Sequence, residues 1–334
     1  MRSGRSPDRR QPPQGRPPIR WDVVVVGGGP AGLSAALVLG RCRRRVLVCD
    51  MGRPRNTRAR ALHGFLTRDG LPPARLLDIA RAQLRRYPNV ELRAVEVKGV
   101  CTAPGGFETT LAGGAHLRSR FVLLATGVVD QLPPVPGLQE FYGRGVYHCP
   151  YCDGWEMRDR PLAVYGRGKN GAGLAQELLD WSGDVVLCSD GPARLNAAQR
   201  ERLAALGIAV HEQRITELRG RWGRLTRIVL ADGSRLARDG LFLSTGQHQR
   251  SPLPRQLGCV LTPKGALKTG RLEMTSVPGL YAAGDCSRDV QLVVIAAAEG
   301  ARAAFAMNTE LIKEGLARRL RSRSRRAARR SSAR

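Results

Sequence analysis

Four consecutive valines occupy residues 23–26, and such a continuous apolar run is typical of a parallel strand that is buried on both faces. The glycine-rich segment Gly27–Gly32 follows at once, and residues 33–39 then form an apolar helix pattern. A second apolar run at residues 45–49 ends at Asp50. This order predicts a strand–helix–strand unit of about 30 residues, the setting in which a glycine-rich loop binds a dinucleotide.

The same order recurs further along the chain. Residues 162–165 form an apolar strand pattern, Gly166–Gly171 forms a second glycine-rich loop, and residues 174–181 form a helix pattern. An apolar run at residues 184–188 then ends close to Asp190. One such loop is also compatible with a tight turn that binds nothing, but two complete units in tandem favour two nucleotide-binding sites.

A further apolar strand closes each unit, at residues 121–127 in the first and at residues 241–246 in the second. Short strand patterns with glycine-containing turns precede both closing strands and predict a small β-meander in each half. These turns lie at Gly105–Gly106, Gly113–Gly114, Gly223 and Asp232–Gly233. The predicted fold class is α/β, with two tandem Rossmann-like, three-layer nucleotide-binding domains.

The net charge of the 334-residue chain is +27, which at first indicates a nucleic-acid partner. However, residues 1–20 hold six Arg and one Asp, and residues 317–334 hold nine Arg and no acid. Both ends are poor in large apolar side chains, which predicts disordered basic tails. Because neither tail has an aromatic side chain for base stacking, solvated tails are favoured over nucleic-acid binding.

The hydropathy pattern argues against a membrane protein. No run of about 18 apolar residues is present, so a membrane span is not expected. The basic N-terminus lacks the apolar segment of a secretory signal, so the protein is expected to be cytoplasmic. In that compartment, a close pair of cysteines is more often catalytic or metal-binding than structural.

Cys149 and Cys152 form the only close pair among the eight cysteines of the chain, and Asp153 follows directly. A structural zinc site would require a second pair or nearby His ligands. His148 is adjacent, but no second pair with this spacing exists, so no metal is expected. A dithiol between two nucleotide loops predicts electron transfer between a cofactor and a disulfide.

Five motifs, in their order and spacing, resemble the low-molecular-weight thioredoxin reductase family of flavoprotein disulfide reductases. They are GGGPAG at 27–32, ATG at 125–127, CPYCDG at 149–154, GRGKNG at 166–171 and AAGDC at 282–286. The resemblance implies FAD in the first domain, a nicotinamide nucleotide in the second and a homodimeric assembly.

In this family, the segment that ends at Gly284–Asp285 completes the flavin site, and an apolar helix follows it, here at residues 293–308. The first domain is therefore predicted to be discontinuous, with the second domain inserted into it. The predicted boundaries are 21–130 and 250–316 for the two parts of the FAD domain and 131–249 for the dithiol-bearing domain.

The resemblance also assigns roles in FAD binding. Gly27 permits the turn, Gly29 lets the backbone approach the pyrophosphate, and Gly32 permits close packing of helix on strand. Asp50 is implied to hydrogen-bond the adenosine ribose, and Gly284–Asp285 to contact the ribityl and phosphate portion. The residues implied to bind FAD are Gly27, Gly29, Pro30, Ala31, Gly32, Asp50, Thr126, Gly127, Gly284 and Asp285.

The same resemblance gives the two cysteines unequal roles. Cys152 is implied to lie against the isoalloxazine, and Cys149 to exchange with the sulfur of the substrate. Asp153 is the implied proton donor and acceptor, because disulfide exchange requires a thiolate. His148 is a second candidate for that role, although we favour its interpretation as a hydrogen-bonded polar neighbour.

The second nucleotide loop departs from the family pattern. Members that use NADPH carry His-Arg-Arg at the end of the second strand, where this chain has Ser189–Gly191. An acid there suits a free 2′-hydroxyl and repels a 2′-phosphate, so NADPH is disfavoured, and either NADH or no nicotinamide is expected. The residues implied to bind the nucleotide are Gly166, Gly168, Gly171 and Asp190.

Other departures resemble the branch that contains gliotoxin- and holomycin-type dithiol oxidases, which close a disulfide in a small molecule and pass electrons from FAD to oxygen. They lie at Asn56, residues 63–66, residues 69–70 and Val290–Leu292. Two hypotheses stay open: reduction of a thioredoxin-like or small-molecule disulfide by a nicotinamide nucleotide, or oxidation of a dithiol by oxygen. A redox-inactive FAD-binding or interaction protein is a third hypothesis, which the intact dithiol followed by Asp153 disfavours.

Overall fold

The computed structural model describes residues 20–287 and 290–331 of the 334-residue chain. The predicted basic tail at residues 1–20 lies outside the described residues, except for Arg20, which begins the first strand. Within the described ranges, no helix is long and apolar enough to cross a membrane.

Both halves of the described chain contain β-strands. In chain order they are β1 (Arg20–Val26), β2 (Val46–Cys49), β3 (Val90–Arg93), β4 (Val97–Ala103), β5 (Gly106–Leu111), β6 (His116–Leu124), β7 (Val128–Asp130), β8 (Val146–Tyr147), β9 (Leu162–Tyr165), β10 (Val185–Cys188), β11 (Ala209–His211), β12 (Ile215–Arg221), β13 (Arg224–Leu230), β14 (Arg235–Ala237), β15 (Gly240–Leu243), β16 (Gln247–Gln249) and β17 (Leu280–Ala282).

The helices range from single turns to one long C-terminal helix. In chain order they are α1 (Pro30–Arg41), α2 (Pro73–Leu84), α3 (Leu138–Phe141), α4 (Pro150–Asp153), α5 (Gly168–Glu177), α6 (Ala197–Ala205), α7 (Leu253–Gln256) and α8 (Val293–Ser331). Short 3₁₀ helices follow α5 at Leu178–Asp180 and precede β17 at Arg271–Glu273.

The first sheet is built around the valine run of β1. Strands β3, β2, β1 and β6 are parallel in that order, and β17 adds a further parallel strand beside β6. Val23, Val24 and Val25 are fully buried, because α1 and α8 cover one face and the β4–β5 hairpin with its neighbours covers the other. A strand from late in the chain therefore completes the first sheet, as predicted.

The second sheet repeats this plan. All five of its strands are parallel, in the order β11-β10-β9-β15-β8. A separate antiparallel meander, β12-β13-β14, packs beside it. The glycine turns predicted near Gly105, Gly113, Gly223 and Gly233 all connect antiparallel strands of the two meanders. The predicted α/β class with two Rossmann-like units is confirmed.

The two sheets are joined by a pair of crossing segments. β7 follows β6, a strand of the first sheet, and β16 follows β15, a strand of the second sheet. β7 and β16 pair with each other in antiparallel register. Their partners include Asp130 with Gln247 and Val128 with Gln249. Residues on this short ribbon are therefore close to both sheets.

The C-terminal end of the described chain differs from the disordered tail predicted from the sequence. α8 begins at Val293 as predicted, but it continues to Ser331 instead of ending near residue 308. Alanine and arginine are both strong helix formers, and extending an existing helix avoids the costly nucleation step. The prediction of disorder over residues 317–334 is therefore wrong for residues 317–331.

Candidate active site

A cavity of about 740 Å³ is lined by loops from both halves of the chain. Its volume lies within the range of cofactor and small-molecule sites, about 300–1,000 Å³. Both cysteines of the predicted dithiol lie on its wall together with the first glycine-rich loop. The predicted site residues that line it are Gly27, Gly29, Pro30, Ala31, Asp50, Thr126, Gly127, Cys149, Cys152, Asp153, Gly284 and Asp285.

The first glycine-rich loop joins β1 to α1 and lines the cavity. Gly29 is the N-cap of α1, Pro30 is the first helical residue, and no side chain caps this end. A Cβ built on Gly29 would meet no described atom within 4 Å. An uncapped helix N-terminus beside open space fits a negatively charged pyrophosphate.

Gly32 does not line the cavity but shapes the loop from behind. A Cβ on Gly32 would lie 1.9 Å from the carbonyl oxygen of Gly27. Glycine is therefore required for the close approach of α1 to the end of β1. This contact fits the packing role of Gly32, which stays a prediction.

Asp50 follows β2 and lies on the cavity wall beside the first loop. Arg81 Nη2 donates a hydrogen bond to Asp50 Oδ2 at 3.1 Å. A Cβ on Gly28 would lie only 2.6 Å from the carboxyl carbon of Asp50, so glycine at this position leaves room for the carboxylate. The position fits a ribose hydroxyl, and that role for Asp50 stays a prediction.

Cys149 and Cys152 are joined in a disulfide at the start of α4, with their Cα atoms 5.2 Å apart. Cys149 is the N-cap of this single-turn helix, and the N–H of Cys152 donates to its carbonyl oxygen at 3.1 Å. Both side chains are half-buried. In the described ranges, no group of three or more His, Cys, Asp and Glu side chains is arranged to hold a metal ion.

Asp153 is held beside the disulfide by the same turn of α4. Burial raises the pKa of its carboxyl from 3.8 to about 7; His63 lowers it and Glu156 raises it by smaller amounts. A carboxyl with this pKa exchanges its proton readily near neutral pH. The environment therefore fits the predicted proton donor and acceptor.

Arg55, which no motif marks, joins three parts of the cavity. Its Nε donates to Asp130 Oδ2 at 2.9 Å, and its Nη1 donates to Asp285 Oδ2 at 2.9 Å and to Gln291 Oε1 at 2.5 Å. Although burial opposes ionisation of Asp130, hydrogen bonds from Arg55 and other charges hold its pKa below the usual value. The carboxylate of Asp285, predicted to contact the flavin, is thus already ion-paired with Arg55.

A hydrogen-bonded chain extends from this ion pair to the residue before Cys149. The hydroxyl of Tyr142 donates to Asp130 Oδ2 at 2.8 Å, and its oxygen lies 3.2 Å from Nδ1 of His148. Because the hydroxyl proton is used by Asp130, Nδ1 is the donor in the second contact, and Nε2 is left as the acceptor. The His148 side chain is exposed to the cavity, yet desolvation there and the charge of Arg55 lower its pKa, so a neutral imidazole is favoured.

The second glycine-rich loop lies apart from this cavity, between β9 and α5. A Cβ on Gly171 would lie 2.6 Å from the carbonyl carbon of Gly166, and Gly168 begins α5 with a positive φ of 56°. Asp190 accepts hydrogen bonds from the N–H of Ile215 and from the hydroxyl of Tyr165. The structure therefore unites the first loop with the dithiol and places the second loop elsewhere.

Three comparisons with known proteins agree with this architecture. A family model for pyridine nucleotide-disulphide oxidoreductases matches residues 21–300. A protein of Arthroderma benhamiae named as a probable thioredoxin reductase is 34% identical over 337 residues, which is 91% of this chain and 83% of the relative. The solved structure of HlmI has 39% identity and a TM-score of 0.87, over 91% of this chain and 96% of the other. An oxidoreductase of Agrobacterium tumefaciens has 34% identity and a TM-score of 0.82, over 88% and 99%.

Proposed function

The chain belongs to the pyridine nucleotide-disulphide oxidoreductase family, and from that premise we propose that it passes electrons from a nicotinamide nucleotide through FAD to the Cys149–Cys152 pair. The reduced pair then reduces a disulfide in a thioredoxin-like protein or in a small molecule. The observation that carries this proposal is the single cavity shared by the disulfide, the first glycine-rich loop and Gly284–Asp285. When bound there, FAD supplies the two-electron carrier between nucleotide and disulfide.

The chain's own residues supply the thiol and proton chemistry. Two electrons and two protons convert the Cys149–Cys152 disulfide into two thiols, of which Cys152 faces the cofactor and Cys149 faces the substrate. Cys149, as a thiolate, attacks the substrate disulfide and releases one of its sulfurs, and Cys152 then closes the original disulfide and releases the other. Asp153, with a pKa of about 7, donates and accepts protons during these steps.

The surface beside the dithiol supports a partner of substantial size. The side chains of Tyr151 and Trp155 are 68% and 65% exposed, and they flank Cys152 in sequence. The guanidinium of Arg158 lies 4.2 Å from the centroid of the Trp155 ring. Exposed aromatic side chains held in place beside a reactive group are typical of contact surfaces, which favours a thioredoxin-like protein among the two substrate classes.

A homodimer is also part of the proposal, and the exposed face of α8 supports it. Large apolar side chains on this helix remain exposed, namely Phe305, Ile312, Leu316 and Leu320. The last three follow one another at four-residue spacing and therefore form one stripe. Light scattering on the purified chain tests the assembly, and the mass of a single chain would contradict it.

An anaerobic titration of the FAD-loaded chain tests the electron path. Addition of a nicotinamide nucleotide should bleach the visible flavin absorbance, and later addition of a disulfide substrate should restore it. Cys152→Ser should retain FAD but lose disulfide turnover by about 1,000-fold or more, because the dithiol acts as a unit. Normal turnover by this variant would contradict the assignment of the dithiol.

The dithiol oxidase hypothesis predicts the opposite pattern in the same titration. In that case neither nucleotide bleaches the flavin, a small dithiol does, and oxygen restores the colour. That outcome would replace the proposed function. A purified chain with no flavin absorbance after reconstitution would exclude both electron paths.

A further inference from the structure

The first strand–loop–helix–strand unit serves as an internal reference for the second. In the first unit, the residue between the first two glycines of the loop motif is Gly28, and the strand-end acid is Asp50. The corresponding residues of the second unit are Arg167 and Asp190. In the first loop, a side chain at Gly28 would collide with the carboxylate of Asp50. At the corresponding position, the second loop carries the long side chain of Arg167.

The Arg167 side chain folds onto the carboxyl end of β10. Its Nε donates to the carbonyl oxygen of Ser189 at 2.6 Å, and its Nη2 donates to the carbonyl oxygen of Asp190. A Cβ built on Gly191 would lie 3.1 Å from Nη2 of Arg167. In Rossmann units, the end of the second strand is where the adenosine ribose is bound. The guanidinium of Arg167 therefore lies at the adenosine end of the second nucleotide site.

The carboxylate of Asp190 is turned away from this role. Asp190 has a positive φ of 51°, a conformation that redirects its side chain relative to an extended strand. Its Oδ1 accepts from the N–H of Ile215 at 2.8 Å, and its Oδ2 accepts from the hydroxyl of Tyr165 at 3.1 Å. The acid thus ties β9 and β12 to the end of β10.

At the end of β10, Arg167 is more accessible to a ligand than Asp190 is. The side chain of Arg167 is 39% exposed and that of Asp190 is 19% exposed, and Nη2 lies 3.9 Å from Asp190 Oδ2. Two of the five N–H groups of the guanidinium bind the carbonyls of Ser189 and Asp190, which orients its plane. A planar guanidinium held in this way is suited to bind a phosphate.

We propose that Arg167 binds the 2′-phosphate of the nucleotide and makes the second site selective for NADPH over NADH. This inference rests on the proposed function, in which the second loop holds the nicotinamide electron donor. It reverses the preference expected from Asp190 in the sequence alone. The carboxylate is held by hydrogen bonds from Ile215 and Tyr165, and its negative charge is offset by the Arg167 guanidinium at 3.9 Å. No residue of the family's basic cluster is needed for the selectivity.

Binding of nucleotide fragments to the FAD-loaded full chain tests this proposal without catalysis. Calorimetry should show that 2′,5′-ADP binds more tightly than 5′-AMP by about tenfold or more, the strength of a charge-assisted hydrogen bond. Arg167→Gln should weaken 2′,5′-ADP binding by about 10- to 100-fold while leaving 5′-AMP binding nearly unchanged. Arg167→Lys, which retains the charge without the planar fork, should give an intermediate loss.

Lys169→Gln is the matched control, because it removes one positive charge from an exposed side chain of the same loop. Its effect on 2′,5′-ADP binding should stay below about fivefold, as for an exposed charge. Equal affinity of the two fragments for the wild-type chain would overturn the proposal. Failure of both fragments to bind would also overturn it and would indicate that Arg167 closes the site.

These outcomes are separable from failure of the proposed function. If both NADH and NADPH bleach the flavin but 2′,5′-ADP is not preferred, the electron path stands and the role of Arg167 falls. If neither nucleotide bleaches the flavin, the electron path itself falls. Retained preference for 2′,5′-ADP in Arg167→Gln would place the phosphate contact on another residue and contradict the assignment.

Discussion

The two strand–loop–helix–strand units of this chain share one backbone plan but differ in what their loops meet. The first loop opens onto the cavity that holds the Cys149–Cys152 disulfide, and the strand-end acid Asp50 lies on the wall of that cavity. In the second unit, Arg167 covers the strand end, and Asp190 binds neighbouring strands. Glycine spacing and a strand-end acid therefore define the unit, while side-chain placement decides what it can bind.

The strongest test of this contrast concerns the chemistry assigned to the first cavity. Asp153→Asn should reduce the rate of disulfide turnover by about 100-fold or more, because a general acid–base group of pKa about 7 is lost. In the wild-type chain, Asp153 loses its proton as the pH rises through about 7. The step in which it protonates a leaving thiolate should therefore slow above that pH, and rapid-mixing kinetics across the pH range should show the inflection.

Asp153→Asn should lack the inflection near pH 7 in the pH profile of turnover, while its FAD content stays normal. Glu156→Gln is a milder companion, because the Glu156 charge raises the pKa of Asp153. Neutralising Glu156 should move the inflection to lower pH without abolishing turnover. A wild-type pH profile in Asp153→Asn would assign the proton transfer to another group, with His148 as the next candidate.

The second test asks whether the space at Gly28 is what lets the first unit hold its cofactor. Gly28→Ala places a Cβ that would lie 2.6 Å from the carboxyl carbon of Asp50, so the carboxylate must shift. Overpacking of this kind costs about 1–3 kcal/mol. Fluorescence titration of the flavin-free chain should show FAD affinity lower by about 10-fold or more, with the effect confined to the first unit.

Gly173→Ala provides the matched control in the second unit. A Cβ on Gly173 would have no described atom within 4 Å, and the residue lies inside α5. FAD affinity should be unchanged, and thermal stability should rise slightly because alanine is the better helix former. Equal loss of FAD in both variants would show that the Gly28 effect is not local.

Sequence patterns were sufficient to predict those parts of the molecule that are formed by residues close together in the chain. The valine run, the glycine spacing and the strand-end acids predicted two Rossmann-like units, and the close cysteines predicted a dithiol. The networks around Arg55 and Arg167 were not predictable in the same way. Arg55 contacts Asp130 and Asp285, which lie far away in the sequence, and a pairing of this kind leaves no periodic pattern.

The strand-end acids show the same limit at a single residue. Asp50 and Asp190 occupy corresponding positions in the two units, so sequence alone predicts the same role for both. The positive φ of Asp190 and its contacts with Ile215 and Tyr165 exist only in the folded chain. A similar limit applies to α8, whose arginine-rich end resembles a disordered tail in composition yet continues a helix that begins at Val293.

The prediction with the smallest expected effect tests whether Asp190 has a structural role and Asp50 a ligand-binding role. Asp190→Asn should lower the free energy of unfolding by about 1 kcal/mol, because the contacts to Ile215 and Tyr165 lose their charge. Its effect on 2′,5′-ADP affinity should stay below about fivefold. Asp50→Asn should instead lower FAD affinity by about tenfold, because that carboxylate lies on the cavity wall. Thermal unfolding and fragment calorimetry on the two variants separate these outcomes. If Asp190→Asn abolished fragment binding without any loss of stability, Asp190 would be a ligand-binding acid, and the contrast between the two units would fail.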